Sequence, residues 1–438
     1  MSLYAQLDTV LQEIMARWGI PGLGVGLVED GRITYARGFG VQSLATGAPV
    51  TPDSLFCVAS ITKIFVATAI MQLVEQGRLN LDAPLGTYLP DFRLDDARLP
   101  RVTLRQVLSH TAGLPDFDEA EYDLLVAHPE YDEGAPERLM RNLASRQLIA
   151  DPGQRFAYSN IGFDLLGVLI SRITGGTFED YLSAHVLRPA GMPASELSHL
   201  QIPAERLALP HLRTPAMIVN PIYPYHRADV PASFLHSSVL EMCNFAIASL
   251  KGASGAIPGL LSPATYEKMW TPVAERGYPP FYEHHSLGWV IGHFNGVKTV
   301  SHGGGGFGWT DFFTILPERN AAAVILCNEE SSARSRTLRA AVHVLLGLEP
   351  VADTVSWMVP ICQSLAEGGI QAARACYAEI KDDPNYFFDE DELITLVYQL
   401  QSVQKFELAA QVLELNLEVF PAHAESQHML AALKKGSS

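Results

Sequence analysis

The chain has 438 residues, 48% of them hydrophobic, and a formal net charge of −17. That length can hold two or more domains and the composition supports a sizeable core, while the acidity argues against nucleic acid and anionic membrane surfaces as partners. No run approaches membrane-spanning length, and Met1 to Gly19 has neither a basic start nor a long apolar stretch, so the expected setting is the cytoplasm.

Leu7, Val10, Leu11, Ile14 and Met15 recur at helical spacing and predict an amphipathic helix over residues 5 to 18. Gly24 to Val28, the turn Asp30-Gly31 and Ile33 to Phe39 predict a hairpin. Ser60-Ile61-Thr62-Lys63 then opens a second helix, marked by Ile61, Ile64, Phe65, Ala69, Ile70, Leu73 and Val74 and stopped at Gly77. Ser60 and Lys63 are three positions apart, so hydroxyl and amine share a helix face. The helix N-terminus favours negative charge developing at Ser60. A serine becomes a nucleophile when a base takes its proton, and a lysine serves when desolvation or a nearby cation disfavours its charge. Taken alone, the pattern more often marks an ordinary helix start with a solvated lysine.

A mostly helical region is expected to about residue 210. Within it, Ser109-His110-Thr111 has cap character, and His110 reads as a structural histidine bonded to backbone. Asp95-Asp96 and Asp116-Phe117-Asp118-Glu119 read as solvated acidic loops. Tyr158-Ser159-Asn160 follows the turn cluster Asp151-Pro152-Gly153 and precedes a helix over Ile161 to Ile173 that ends at Gly175-Gly176. Tyr158 on such a loop can point into a cleft and, beside an ammonium, act as general base and then acid. The alternative for a lone tyrosine is packing with a satisfied hydroxyl. Residues 203 to 232 are rich in proline and aromatics and read as a loop bordering the cleft, a candidate specificity element.

Strands are expected to return near residue 286: Leu287 to His293, the turn Asn295-Gly296, and Val297 to Ser301. After His302-Gly303-Gly304-Gly305-Gly306 come Thr310 to Leu316, a turn at Pro317 to Asn320, and Ala321 to Cys327. Glycine on a strand edge permits close ligand approach, which makes Gly303 and Gly304 candidate substrate-binding positions. The backbone N–H of Gly305, with that of Ser60, is a candidate oxyanion hole. A flexible bend with a surface histidine is the plainer reading of the run by itself. The adjacent His284-His285 are a poor metal signal, and neither a metal nor a cofactor is expected. Cys57, Cys243, Cys327, Cys362 and Cys376 form no zinc or CxxC spacing and read as reduced core thiols.

Together these motifs resemble the serine β-lactamase and penicillin-binding-protein superfamily, in its class C β-lactamase, DD-peptidase and esterase branch. The resemblance covers about residues 5 to 347. It extends to Leu55-Phe56-Cys57-Val58-Ala59, Leu79 to Pro84, Leu108 to Leu114 and Pro231 to Ser238. It implies an α+β fold, an antiparallel sheet flanked by helices with a helical lobe. It further implies Ser60 as nucleophile, Lys63 as its neighbouring base, Tyr158 as shared acid and base, and Asn160 as a residue that positions the acyl group. His302 stands where many β-lactamases have the lysine of Lys-Thr-Gly. There a permanent cation gives way to an imidazole expected to titrate near neutrality. Ser233-Phe234 stand where small glycines are usual, and their bulk is expected to reshape the pocket.

Beyond about residue 350 the character is helical. Residues 1–350 are expected to form the catalytic domain and 351–438 a helical extension. Leu393, Leu396, Leu400, Ala409, Leu413 and Pro421 match tetratricopeptide-type spacing. Such an extension either binds a protein partner, or self-associates, or packs as a cap. The function expected is hydrolysis of an ester or amide in a small-molecule or peptide substrate, D-amino-acid peptides and small acyl esters among them, through an acyl-Ser60 intermediate. Acyl transfer from the same intermediate and a non-catalytic scaffold are the alternatives.

Overall fold

Eight strands form one antiparallel sheet in the computed structural model, which describes residues 1–256, 259–352 and 354–436. In chain order they are β1 (Gly22–Glu29), β2 (Arg32–Gly40), β3 (Ala274–Tyr278), β4 (Tyr282–His285), β5 (Val290–Phe294), β6 (Val297–Gly306), β7 (Trp309–Leu316) and β8 (Ala321–Cys327). Across the sheet they run β2-β1-β8-β7-β6-β5-β4-β3. Asn295 and Gly296 both take positive φ, the conformation a tight hairpin between β5 and β6 needs. The hairpin of β3 and β4 was not among the expected strands, because charged and aromatic residues there mask the alternation.

Alternation along the strands builds two apolar layers. Ala322, Val324 and Leu326 face one, and Ala321, Ala323 and Ile325 the other. The first layer packs on helices α2 (Thr62–Glu75), α3 (Asn160–Thr174) and α4 (Val239–Ser254), through Phe65, Leu166 and Phe245 among others. The second is covered by α1 (Leu3–Trp18) and α5 (Ala333–Leu345). This is the α+β arrangement the motifs imply.

The C-terminal helices are α6 (Met358–Ile380), α7 (Glu392–Ser402), α8 (Phe406–Val419) and α9 (Ala424–Gly436). Helix α6 is bent at Gly368-Gly369, where Gly369 has a φ of 67°. Leu393, Leu396, Leu400 and Leu413 are buried in the same apolar layer as Leu7 and Leu11 of α1 and Leu23 of β1. The extension therefore shares a core with the sheet. Residues 203 to 232 form short turns and a two-stranded ribbon, His211–Arg213 with Met217–Val219. No single helix among the described residues is long and apolar enough to cross a membrane.

Candidate active site

Ser60 sits in a 3-10 turn, Ala59–Ile61, that runs straight into α2. Ala59 before it has a φ of 44°, a left-handed conformation that a non-glycine residue adopts at a cost of about 1–3 kcal/mol. Thr62 Oγ1 donates to the Ala59 carbonyl at 2.7 Å and holds the turn. Glycine lets β6 lie against it, since a Cβ at Gly304 would collide with the Val58 carbonyl, while one at Gly303 would meet the Tyr282 hydroxyl of β4. The glycine run is thus part of the strand, not a flexible bend.

Lys63, one helical turn on, is fully buried. Its Nζ donates to Ser60 Oγ at 3.1 Å, Asn160 Oδ1 at 2.6 Å and the Ala232 carbonyl at 2.8 Å. Three acceptors match the three protons of an ammonium. Tyr158 donates its hydroxyl to Ser60 Oγ at 3.0 Å, and Lys63 Nζ lies 5.0 Å from the centre of its ring. Ser159 caps α3 with its hydroxyl, which leaves Tyr158 and Asn160 on either side of the helix entrance facing Ser60 and Lys63.

His110 takes a φ of 52°, accepts from the Ser159 backbone N–H through Nδ1 at 3.1 Å and stacks on the Tyr158 ring at 4.3 Å. It is the structural histidine expected, and it props the tyrosine. Asp116 corrects the solvated-loop reading. It is partly buried, accepts from Asn160 Nδ2 at 3.0 Å, and burial raises its carboxyl above the usual range. The signal was its place just after Gly113-Leu114-Pro115. Two further carboxyls, Asp164 and Asp229, are buried close behind Lys63. Burial pushes both up, Asp229 to about 7, against the pull of the Lys63 cation.

His302 is buried at the cavity wall, and its Nδ1–H donates to the Gly303 carbonyl at 2.7 Å. Burial, then the Lys63 charge, pull it down to about 3, so it is neutral rather than titrating near neutrality. His285 lies between His302 and His110, with ring centres 6.2 and 4.7 Å away. Burial holds its value and that of His110 well below the usual range. Burial likewise raises the Cys57 thiol, and Cys57 Sγ donates to the Ser233 carbonyl at 3.3 Å. Phe234 does not reshape the pocket as expected: it is buried and packs on Tyr225 and Phe307. What this segment brings to the site is the Ala232 carbonyl.

A cavity of about 620 Å³ opens over Ser60 and Tyr158. His302, Gly303, Gly304 and Gly305 form one wall, Arg276 and Tyr282 another. Glu330, Ser331, Arg334 and Thr395 are among the remaining lining residues, whereas none of residues 203 to 232 lines it. Arg334 Nη1 donates to the Gly304 carbonyl at 2.6 Å. The Arg276 guanidinium lies over the rings of Tyr282 and Phe156, at 4.6 and 5.4 Å, and burial pulls its value down. Glu330 is the cavity's acid, pushed up to about 7 by burial. In a chain of net charge −17, the cavity wall gathers two guanidinium groups with an ammonium behind Ser60. No motif marked Arg276, Arg334 or Thr395 in the sequence.

Residues 7–348 match the family model described as Beta-lactamase. The chain is 23% identical to protein flp of Staphylococcus aureus (strain MW2) over 74% of its own length and 63% of that protein's. It is 28% identical to the unguisins hydrolase ungD' of Aspergillus campestris, covering 77% of this chain and 64% of that one. The chain thus spans under two thirds of the length of these relatives. The octameric penicillin-binding protein homologue from Pyrococcus abyssi superposes with a TM-score of 0.69 at 28% identity, over 79% of this chain and 78% of that chain.

Proposed function

The chain belongs to the β-lactamase family, and on that premise we propose that it is a serine hydrolase cleaving an ester or amide through an acyl-Ser60 intermediate. The observation that carries this reading is Ser60 Oγ held between Lys63 Nζ and Tyr158 OH at the floor of a cavity. Tyr158, as its phenolate, is the working base in this scheme, since its oxygen is the one hydrogen-bonded to Ser60 Oγ beside Lys63. Ser60 Oγ bonds to the substrate carbonyl carbon while its proton passes to the Tyr158 oxygen. The carbonyl oxygen takes up the negative charge beside the backbone N–H groups of Ser60 and Gly305. Collapse breaks the bond to the leaving group, which receives the proton from Tyr158. Water then attacks the acyl carbon, gives a proton to Tyr158, and Ser60 leaves with that proton.

Among the described residues the Arg276 guanidinium lies over two aromatic rings at the cavity wall and forms no ion pair, so a substrate bearing a carboxylate satisfies it best. The preferred class is therefore a short acyl ester or amide with an anionic end. The similarity to a relative named as a hydrolase supports the reaction class. The test is intact mass after mixing wild type and Ser60→Ala with activated acyl esters. An acyl increment or product with wild type alone is expected. Equal turnover by Ser60→Ala in a clean preparation would sink the reading.

A further inference from the structure

We propose that the C-terminal extension is a specificity element of the catalytic cavity, with Thr395 of α7 limiting the length of substrate the site accepts. The inference rests on the hydrolase reading above.

Three observations carry it. Thr395 lines the same cavity as Ser60, although 335 positions separate them in the chain. Its neighbours Leu393, Ile394, Leu396 and Val397 are all buried, whereas Thr395 is only half-buried. A helix packed so closely leaves this one polar side chain to meet the cavity. Ser331, Ser332, Ser335 and Arg334 line the cavity with it, so the residues that share the wall with Thr395 are polar.

The wall is anchored, not loosely docked. Gln399, four residues after Thr395, accepts from the Arg213 backbone N–H at 2.6 Å. The Arg213 guanidinium donates to the Trp18 carbonyl at 2.7 Å and to Glu329 Oε1 at 3.1 Å. Both members of that ion pair are buried, and Glu329 directly precedes the cavity residues Glu330 to Ser332. Lys405 Nζ donates to the Thr214 carbonyl at 2.6 Å and ties down the end of the same helical unit. A wall held by buried polar contacts does not yield to a longer ligand at little cost. Substrate length is then set by the side chain at position 395.

The test uses the full-length chain and two series of esters. In one, the phenol is constant and the acyl group lengthens from acetyl through butyryl and hexanoyl to octanoyl. In the other, the acyl group is acetyl and the alcohol lengthens. The readout is the ratio of kcat/KM for the longest and shortest members. Thr395→Ala is expected to raise this ratio in at least one series, and Thr395→Phe to lower it in the same series, each by about tenfold. A purely structural role moves all esters together and leaves the ratio unchanged. Turnover that persists with a flat ratio in both series and both variants overturns length selection and leaves the hydrolase reading standing. Absence of turnover by the unmodified chain, on these esters and on their carboxylate-bearing counterparts alike, overturns both.

Discussion

Lys63 Nζ donates to Asn160 Oδ1 across 2.6 Å, joining two residues 97 positions apart. Asn160 passes the link on by donating to Asp116. The catalytic lysine candidate is thus held by an amide, a serine and a backbone carbonyl, with carboxyls only behind them. A neutral acceptor fixes the position of the ammonium without cancelling its charge, which remains to act on Tyr158 and Ser60.

Tyr158→Phe removes the hydroxyl that meets Ser60 and leaves the His110 stack in place. The acylation rate, read by stopped-flow release of the phenol, is expected to fall about 10²–10⁴-fold with an unchanged melting temperature. An acylation rate within a factor of two of wild type would remove Tyr158 from the proton path.

Arg276→Gln takes a guanidinium from the cavity wall. For an acyl ester bearing a carboxylate, KM is expected to rise about tenfold or more, as for loss of a hydrogen bond to a charged group. The neutral ester of the same length is expected to change little. A parallel loss on both esters would show that Arg276 shapes the wall without reading charge.

His302→Lys introduces the lysine that the family resemblance implies for this position without its surroundings. Position 302 is buried and faces Lys63, Arg276, Arg334 and His285. A further cation there has no partner, and the variant is expected to lose about 3–5 kcal/mol in denaturant unfolding. Wild-type turnover is expected to show no inflection from His302 near pH 6.5, since burial keeps it neutral down to about 3. An unperturbed midpoint in His302→Lys would mean that a counter-charge reaches the site.

Asp229 ties stability to pH. Its folded value, about 7, lies above the ordinary carboxyl value, so the folded chain holds the proton more tightly than the unfolded one. Stability from this group is full below about pH 4 and is lost as pH rises through about 7. Asp229→Asn does not titrate. Its melting temperature is expected to gain on wild type as pH rises from 4 to 8, with Lys63, Asp116 and Asp164 remaining as the titratable groups around it. A constant difference across that range would show that Asp229 does not hold a proton near neutrality.

The order of motifs determined much of this protein. Ser60 and Lys63 are paired by helical periodicity, Tyr158 by its place at a helix entrance, and the hairpin of β5 and β6 by Asn295-Gly296. Each is a local rule, legible within a few residues. Tertiary packing decided the rest. Asp116 looks like a solvated loop acid until Asn160 is brought against it. His302 reads as a neutral-range titrator until burial and Lys63 exclude its charge. Arg276 and Thr395 carry no local signature, because their role arises only when an edge hairpin and a C-terminal helix meet around the cavity over Ser60. Desolvation and long-range charge depend on what surrounds a group in space, and sequence spacing does not encode it.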